Sequence, residues 1–430
     1  MKFRKMTAFL AAMAMMCGSV SIPVFAESTA IEESAEQTDI DKDGEYLKVY
    51  FDVAFSGEDV TAAEFDANLA DAVFGKQTTA TEATAAEAVV NDWLSAIREA
   101  VSFANYSELA LSYPDEKVAD LLTQYGITAE GENARYLVCA LDTELISEEE
   151  AAQIVSQETL PKATAERILM NVMEARGEGR NYLGYSEDDD IYAKLIHTWN
   201  SFILYDDEKL SAIGAQAVED KIVTGYNLKN DEFDAKFLPE LTLQYGHSDI
   251  THAQQLIGLL KSEGIQAKVQ LEPKVSIYEY LLEWGPVPKE ATPTYAVKQV
   301  KDDLYLTYAI EYDLKLEFDN KEDMLYFDDV IKQYAKKNEG NEEAVGLIAG
   351  AWWQPLYSTT ESDIPEEDYN EIDDCIIKDG IYSLHTFCMT EDTENVKAAL
   401  AAMDDSVTVE SETRYCNNAF YNYLSGADYQ

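Results

Sequence analysis

A cluster of prolines near residue 285 divides the chain into two parts with different sequence periodicity. Gly285-Pro286-Val287-Pro288 and Pro293 can neither continue a helix nor lie inside a sheet, because proline has a fixed φ and lacks a backbone N–H. Apolar side chains recur at helical spacing before this cluster, and they alternate with polar side chains after it. We therefore predict an α+β protein with a helical domain at 45–284, a Pro-rich linker at 285–300 and an α+β domain at 301–430.

The pattern before the linker predicts three amphipathic helices. Their apolar positions are Val89, Val90, Trp93, Leu94 and Ile97; Ile168, Leu169, Val172 and Met173; and Leu256, Ile257, Leu259 and Leu260. Aromatic and β-branched residues over Glu45–Phe55 favour a strand instead.

The pattern after the linker reads strand, helix, strand, strand, helix, strand. Asn320 is placed to cap the first of these helices. This order is typical of a ferredoxin-like βαββαβ domain, in which both helices cover one face of an antiparallel sheet. The segments are 314–318, 320–334, 345–357, 381–388, 394–403 and 407–415.

The first 26 residues have the pattern of a secretory signal peptide. Lys2, Arg4 and Lys5 precede an apolar run over Met6–Cys17, and Val24-Phe25-Ala26 provides small residues for cleavage after Ala26. We therefore predict that the protein is exported and works outside the cytoplasm. Residues 27–44 are acidic and polar, and they predict a flexible leader.

Two alternatives arise near this N-terminus. Cys17 would be acylated in a lipoprotein, but the residues before it lack the usual Leu. Asp39-Ile40-Asp41-Lys42-Asp43-Gly44 resembles the start of a calcium loop, yet position twelve is Tyr50 where a Glu is required. We therefore predict neither acylation nor a metal site.

The charge of the chain restricts its partners. The formal net charge is −50, from 82 acidic and 32 basic residues, so contact with phosphate is unfavourable and nucleic-acid binding is excluded. After the signal peptide, no stretch of about 18 apolar residues is free of charge, which predicts no membrane span. Four cysteines remain, and one disulfide bond among Cys375, Cys388 and Cys416 is open.

A related tetrapeptide recurs at the start of each predicted helix. The three copies are Thr84-Ala85-Ala86-Glu87, Ala163-Thr164-Ala165-Glu166 and Thr251-His252-Ala253-Gln254. A second pattern precedes the third copy, with Ile222-Val223-Thr224-Gly225-Tyr226 followed by Phe237-Leu238-Pro239.

These patterns resemble the S-layer homology family, most clearly over residues 208–262, and together they cover somewhat under half of the chain. The resemblance implies three repeats packed as a pseudo-threefold helical prism, whose grooves hold secondary cell-wall polysaccharide without catalysis or a cofactor. It also implies an extracellular, wall-associated location on a Gram-positive-type bacterium. The Arg of the family's tetrapeptide is replaced by Ala85, Thr164 and His252. The alternative that the repeats are a scaffold without this ligand therefore stays open. In that alternative Thr84 and Thr251 are helix N-caps. The implied polymer-binding residues are Thr84, Glu87, Thr164, Glu166, Gly225, Tyr226, Thr251, His252 and Gln254.

An extracellular hydrolase is the alternative from a different class. The helix from Ala253 and the strand after Gly264-Ile265 resemble the core of transglutaminase-like cysteine hydrolases, but Asp249 stands where their nucleophilic Cys belongs. His247, Asp249 and His252 form an incomplete metal set. Trp352-Trp353 is open as a sugar platform, and convergence of the His-Asp-His set with Trp352 in one cleft would favour an enzyme.

Overall fold

The helical part of the chain is built around one apolar core. The computed structural model describes residues 42–75, 90, 92–282, 285–334, 356–360 and 369–426. Residues 42–175 form a set of helices with two short strands, which we call the helical unit. Its elements are α1 (Lys42–Phe51), β1 (Asp59–Thr61), α2 (Ala62–Phe74), α3 (Trp93–Phe103), α4 (Ser107–Ser112), α5 (Asp115–Tyr125), α6 (Gly131–Asp142), α7 (Glu148–Ser156), β2 (Thr159–Pro161) and α8 (Lys162–Ala175).

Two of the predicted helices lie in this unit as α3 and α8. Helix α3 begins only at Trp93, with Asp92 as its N-cap, so the prediction that the tetrapeptide at 84–87 opens this helix is wrong. The predicted strand at 45–55 is wrong, because α1 is a helix. Tyr46 and Leu47 are fully buried, and their burial in the common core outweighs the strand preference of the aromatic residues. Residues 42–44 of the predicted leader belong to the same helix, which also removes the calcium-loop interpretation there.

The strands β1 and β2 form a small antiparallel pair within the helical unit. Val60 lies opposite Leu160, and both side chains are fully buried. The helix that follows β1 starts directly after it, and the same holds for β2. The unit therefore contains two strand–helix units joined through their strands.

The second part of the chain is built around a large antiparallel sheet. Its strands are β3 (Gly184–Tyr185), β4 (Gly225–Asn230), β5 (Thr242–His247), β6 (Ala267–Glu279), β7 (Tyr295–Lys301), β8 (Leu304–Phe318), β9 (Leu356–Thr359), β10 (Tyr369–Asp379), β11 (Tyr382–Cys388) and β12 (Val409–Asn417). Its helices are α9 (Ile191–Ser201), α10 (Glu208–Glu219), α11 (Ile250–Glu263), α12 (Lys321–Tyr334), α13 (Thr393–Met403) and α14 (Asn418–Ser425).

Eight of these strands close into a ring, which we call the closed sheet. The order β4-β6-β8-β5-β9-β12-β10-β11 returns to β4, and β3 and β7 extend β6 and β8 at their edges. Side chains of a strand alternate between its two faces. Every strand of the closed sheet therefore has an outer and an inner face.

The outer face is apolar and is covered by helices. Two apolar clusters cover this face, and both include odd-numbered residues of β6 and even-numbered residues of β8. One cluster contains residues of α9, α11 and α12, and the other contains residues of α10. Helix α13 covers the outer face of β10 and β11 through Val396 and Leu400. At about 25 cal/mol per Å² of buried apolar area, this packing is the main favourable contribution to the sheet's stability.

The predicted domain boundary at 285 differs from the structure. Strand β6 precedes the proline cluster and pairs with β8 along its whole length, so both sides of the cluster contribute to one sheet. Residues 295–300 of the predicted linker lie in β7. The described residues all fall within one compact unit.

The α+β class is confirmed, but the observed sheet is not the ferredoxin-like arrangement. Predicted segments recur as β8, α12, β11, α13 and β12, and Asn320 caps α12 by accepting from the Asp323 amide at 2.8 Å. However, β8 pairs with β5, β6 and β7, and no register joins β8 to β10 or β12 among the described residues. The sequence pattern gave no sign of β10, and most of 345–357 lies outside the described residues.

Candidate functional site

The inner face of the closed sheet is lined by charged and polar side chains. On β6 the even-numbered residues from Lys268 to Ser276 point inward, opposite the apolar odd-numbered ones. Burial lowers the pKa of Arg414 on β12, but nearby carboxylates, with Glu412 first, outweigh it and raise this pKa. Asp313 on β8 and Glu272 on β6 are among these carboxylates, so charges on opposite walls act on one another. The inward polar side chains include Asn227, Lys229, Gln244, Lys268, Gln270, Glu272, Lys274, Ser276, Asp313, Lys315, Glu317, Asp374, Ser383, His385 and Arg414.

A buried carboxylate on β8 neutralises two lysines of this interior. Asp313 lies 2.7 Å from the Lys229 ammonium and 2.6 Å from the Lys274 ammonium. Burial alone raises the pKa of Asp313, but the two ammonium groups outweigh it and hold the pKa well below its usual range. Asp313 is therefore ionised at neutral pH, and each charge of the trio depends on its partners.

A second carboxylate connects the closed sheet to the helical unit. Glu317 accepts from Arg180 at 2.9 Å and from Lys268 at 2.8 Å, and it also accepts from the backbone amide of Leu238 at 2.7 Å. The Arg180 guanidinium lies 4.1 Å from the ring centroid of Tyr46, which belongs to α1. This cation–π contact is a direct link between the two parts of the chain.

Three polar side chains on β10 and β11 are connected by hydrogen bonds, and we call them the Ser383–His385–Asp374 chain. The Ser383 hydroxyl lies 3.0 Å from His385 Nε2, and His385 Nδ1 lies 2.8 Å from Asp374 Oδ2. With Nδ1 protonated towards the carboxylate, Nε2 accepts a hydrogen bond from the hydroxyl, the arrangement found in Ser-His-Asp hydrolases. Burial raises the pKa of Asp374, but the interaction with His385 and the charge of Arg414 outweigh this and lower it.

The Ser383–His385–Asp374 chain can move a proton, but the surroundings of Ser383 differ from those of an exposed nucleophile. Ser383 is 1% exposed and sits within the β11 ladder opposite Lys229. Its hydroxyl also lies 3.3 Å from Asp231. An acyl substrate would need access to the interior and N–H donors for its developing oxyanion.

The predicted His-Asp-His set does meet at the junction of β5 and α11. His247 Nδ1 accepts from the Asp249 amide at 2.9 Å, and His247 Nε2 lies 2.7 Å from His252 Nδ1. Burial first, and then His252, lower the pKa of His247 to about 4. Asp249 is the helix N-cap, so the prediction that Thr251 caps this helix is wrong. Trp352-Trp353 lies outside the described residues.

The predicted polymer-binding residues are not brought together. Thr84 and Glu87 lie outside the described residues. Glu166 is buried in the helical unit, where it pairs with Lys162 at 3.3 Å, and Tyr226 is buried against α10 in the closed-sheet part. Gly225 faces the β6 backbone so closely that a Cβ would lie 2.6 Å from the Ile277 carbonyl. Thr164, Thr251, His252 and Gln254 lie on the first turns of α8 and α11.

The structure reveals one copy of the tetrapeptide that the sequence interpretation missed. Thr61-Ala62-Ala63-Glu64 opens α2, and Thr61 caps it by accepting from the Glu64 amide at 3.2 Å. The related tetrapeptide 163–166 starts at the second residue of α8, and the strands that precede the two helices pair with one another. The identical letters at 61–64 and 84–87 were the available signal.

No family model matches the chain, and no match was found among curated proteins or solved structures. Among the described helices, none has the length and apolar composition needed to cross a membrane. The described His, Cys, Asp and Glu side chains form no group of three or more arranged to hold a metal ion.

Proposed function

We propose that this is an exported, non-catalytic protein that associates with cell-wall polysaccharide through its helical unit. The observation that supports this most directly is the pair of strand–helix units, β1–α2 and β2–α8. Each helix opens with a Thr-Ala-Ala-Glu-like tetrapeptide, and Val60 and Leu160 join the units at fully buried positions. The resemblance to S-layer homology repeats rests on related tetrapeptides at 84–87, 163–166 and 251–254, and the copy at 61–64 adds one more to this recurrence.

The third repeat makes a different contribution in this proposal. Its helix α11 and the preceding strand β5 belong to the closed-sheet part, so a three-repeat prism is not part of the proposal. The polymer surface would instead be formed by the two paired units. Polar groups at their helix starts include Thr61, which is exposed, and Lys162, whose side chain is 32% exposed.

The charge of the chain sets the conditions under which such binding is expected. A net charge of −50 opposes approach to an anionic polymer, and this repulsion is screened by salt over about 8 Å at physiological ionic strength. Binding should therefore strengthen from low to moderate ionic strength. Loss of binding on adding salt would instead indicate attraction between opposite charges.

The direct test is cosedimentation of the chain from Glu27 onward with purified Gram-positive walls. We expect protein in the pellet, and we expect it to stay in the supernatant once the secondary polymer has been removed chemically. Hydrogen exchange with the released polymer should then protect amides in α2 and α8. No pelleting with intact walls would contradict the association, and protection restricted to β4–β12 would move the site to the closed sheet.

A second candidate function follows from the Ser383–His385–Asp374 chain. Its two distances, 3.0 and 2.8 Å, suit a serine hydrolase. A fluorophosphonate probe should then label the native chain at Ser383, and Ser383→Ala should abolish labelling while the wild-type fold is kept. If the wild-type chain is not labelled, the hydrolase function is contradicted and the three residues have only a structural role.

A further inference from the structure

Two cysteines lie side by side on the outer face of β10 and β11. The Sγ atoms of Cys375 and Cys388 are 4.0 Å apart, and both side chains are buried under α10 and α13. Cys139 lies in the core of the helical unit, and Cys416 is buried on β12. We propose that Cys375 and Cys388 form a disulfide bond when the protein meets an oxidising, extracytoplasmic environment.

The strand register places the two thiols on one face. Cys375 pairs with Thr386, and Cys388 pairs with Asp373, so the cysteines are diagonal neighbours across the hairpin. A disulfide bond needs the sulfurs at about 2.05 Å and the Cβ atoms at about 3.5–4.5 Å. Cys388 is the last residue of β11, where the ladder ends, so a modest shift of its backbone brings the sulfurs together.

The two thiols differ in how they would react. Cys375 is fully buried, whereas Cys388 is 7% exposed. The hydrogen bond from Cys375 lowers the pKa of Cys388, which favours Cys388 as the attacking thiolate. The oxidant is a small or protein-borne disulfide.

The reaction is two successive thiol–disulfide exchanges. The Cys388 thiolate attacks one sulfur of the oxidant, whose S–S bond breaks and releases one thiolate, leaving a mixed disulfide. Cys375 then loses its proton, attacks the Cys388 sulfur and expels the second thiolate. Two protein thiols are oxidised, and one external disulfide is reduced to two thiols.

The disulfide bond would restrain the β10–β11 hairpin, which carries the Ser383–His385–Asp374 chain. Cys375 directly follows Asp374, and β11 carries Ser383 and His385. Closing the loop from 375 to 388 also restricts the unfolded chain, which stabilises the folded state by an amount that grows with loop length. We expect the oxidised protein to melt higher than the reduced protein by on the order of 5 °C.

The test uses the chain from Glu27 onward. The proposal needs an oxidising environment, which the test supplies directly, so the result does not depend on whether the protein is exported. Reduced protein is incubated natively, or refolded from urea, in glutathione buffers of increasing oxidised fraction. It is then denatured, alkylated with iodoacetamide and weighed by mass spectrometry. We expect the adducts to fall from four to two, on Cys139 and Cys416. Trypsin, which cleaves after Lys378, should release the peptides of Cys375 and Cys388 as one linked species.

Matched variants make the outcome specific. Cys416→Ser should keep the linked peptides, and Cys388→Ser should lose them and show three adducts. Four adducts on the wild-type chain after refolding in excess oxidised glutathione would overturn the proposal. A link from Cys375 or Cys388 to Cys416 would also overturn it.

Discussion

The helical unit and the closed sheet have opposite kinds of interior. In the helical unit the centre is apolar, with Val60, Leu160 and Ile168 fully buried. In the closed sheet the apolar side chains face outward under helices, and the centre contains paired charges such as Asp313 with Lys229 and Lys274. One chain therefore uses hydrophobic burial in one part and an ionic network enclosed by hydrophobic layers in the other.

This difference teaches what each part tolerates. An apolar core loses stability in proportion to the volume removed from it. A buried ionic network loses stability when one partner is removed, because the remaining charge is left uncompensated away from water. Arg180 and Glu317 connect the two parts, since Arg180 pairs with the inner-face carboxylate and also contacts Tyr46. The predictions below separate the two kinds of interior.

The largest effect is expected from Asp313→Asn. The variant keeps the shape of the side chain but leaves two buried ammonium groups without their carboxylate, which should cost about 3–5 kcal/mol of unfolding free energy. Urea denaturation measures this loss. Asp206→Asn is the control, because its pair with Lys298 is nearly half exposed on both sides and should contribute less than about 1 kcal/mol. Equal losses for the two variants would contradict a buried ionic interior.

A comparable but smaller loss is expected from Leu160→Ala in the helical unit. The side chain is fully buried where β1 meets β2, and its truncation should cost about 2–5 kcal/mol. The loss should be independent of pH between 4 and 8, since the side chain carries no charge. The control is Leu111→Ala on α4, because Leu111 is 54% exposed. A strong pH dependence of the Leu160→Ala loss would show that the two interiors are not separate.

Acid should weaken the closed sheet through its carboxylates. The folded pKa of Asp313 and that of Asp374 are both depressed, so their contribution is complete above the unfolded pKa of about 3.9 and falls as the pH drops below it. Urea midpoints between pH 7 and pH 3 should therefore decline, and the decline should be shallower for Asp313→Asn. Parallel declines in the variant and the wild type would remove Asp313 from this explanation.

The smallest effect concerns the helix starts of the paired strand–helix units. Thr61 caps α2, so Thr61→Ala should cost roughly 1 kcal/mol. On α8 the N-cap residue is Pro161, and Thr164 lies inside the first turn, so Thr164→Ala should be close to neutral. Thermal melts of the two variants measure the contrast. A larger loss for Thr164→Ala would mean that the tetrapeptides do not play the local roles that the structure gives them.

Local sequence patterns predicted many of the individual elements. Helices α3, α8 and α11 follow from apolar spacing, and α12 follows from its Asn320 cap, because these signals act within a few residues. The alternation over Leu314–Phe318 likewise predicted the end of β8. The strand predicted at 45–55 was wrong, since tertiary packing of Tyr46 and Leu47 decided the helix there.

The sequence by itself determined the acidic charge, the tetrapeptide recurrence and the apolar periods that set these elements. Only the tertiary structure decided that strands on both sides of the proline cluster share one sheet, that Ser383, His385 and Asp374 meet, and that Cys375 lies next to Cys388. Strand pairing joins residues far apart in sequence, such as Ala267 with Phe318. A pattern that acts over a few residues carries no information about such a register, because it is selected by the packing of the whole closed sheet.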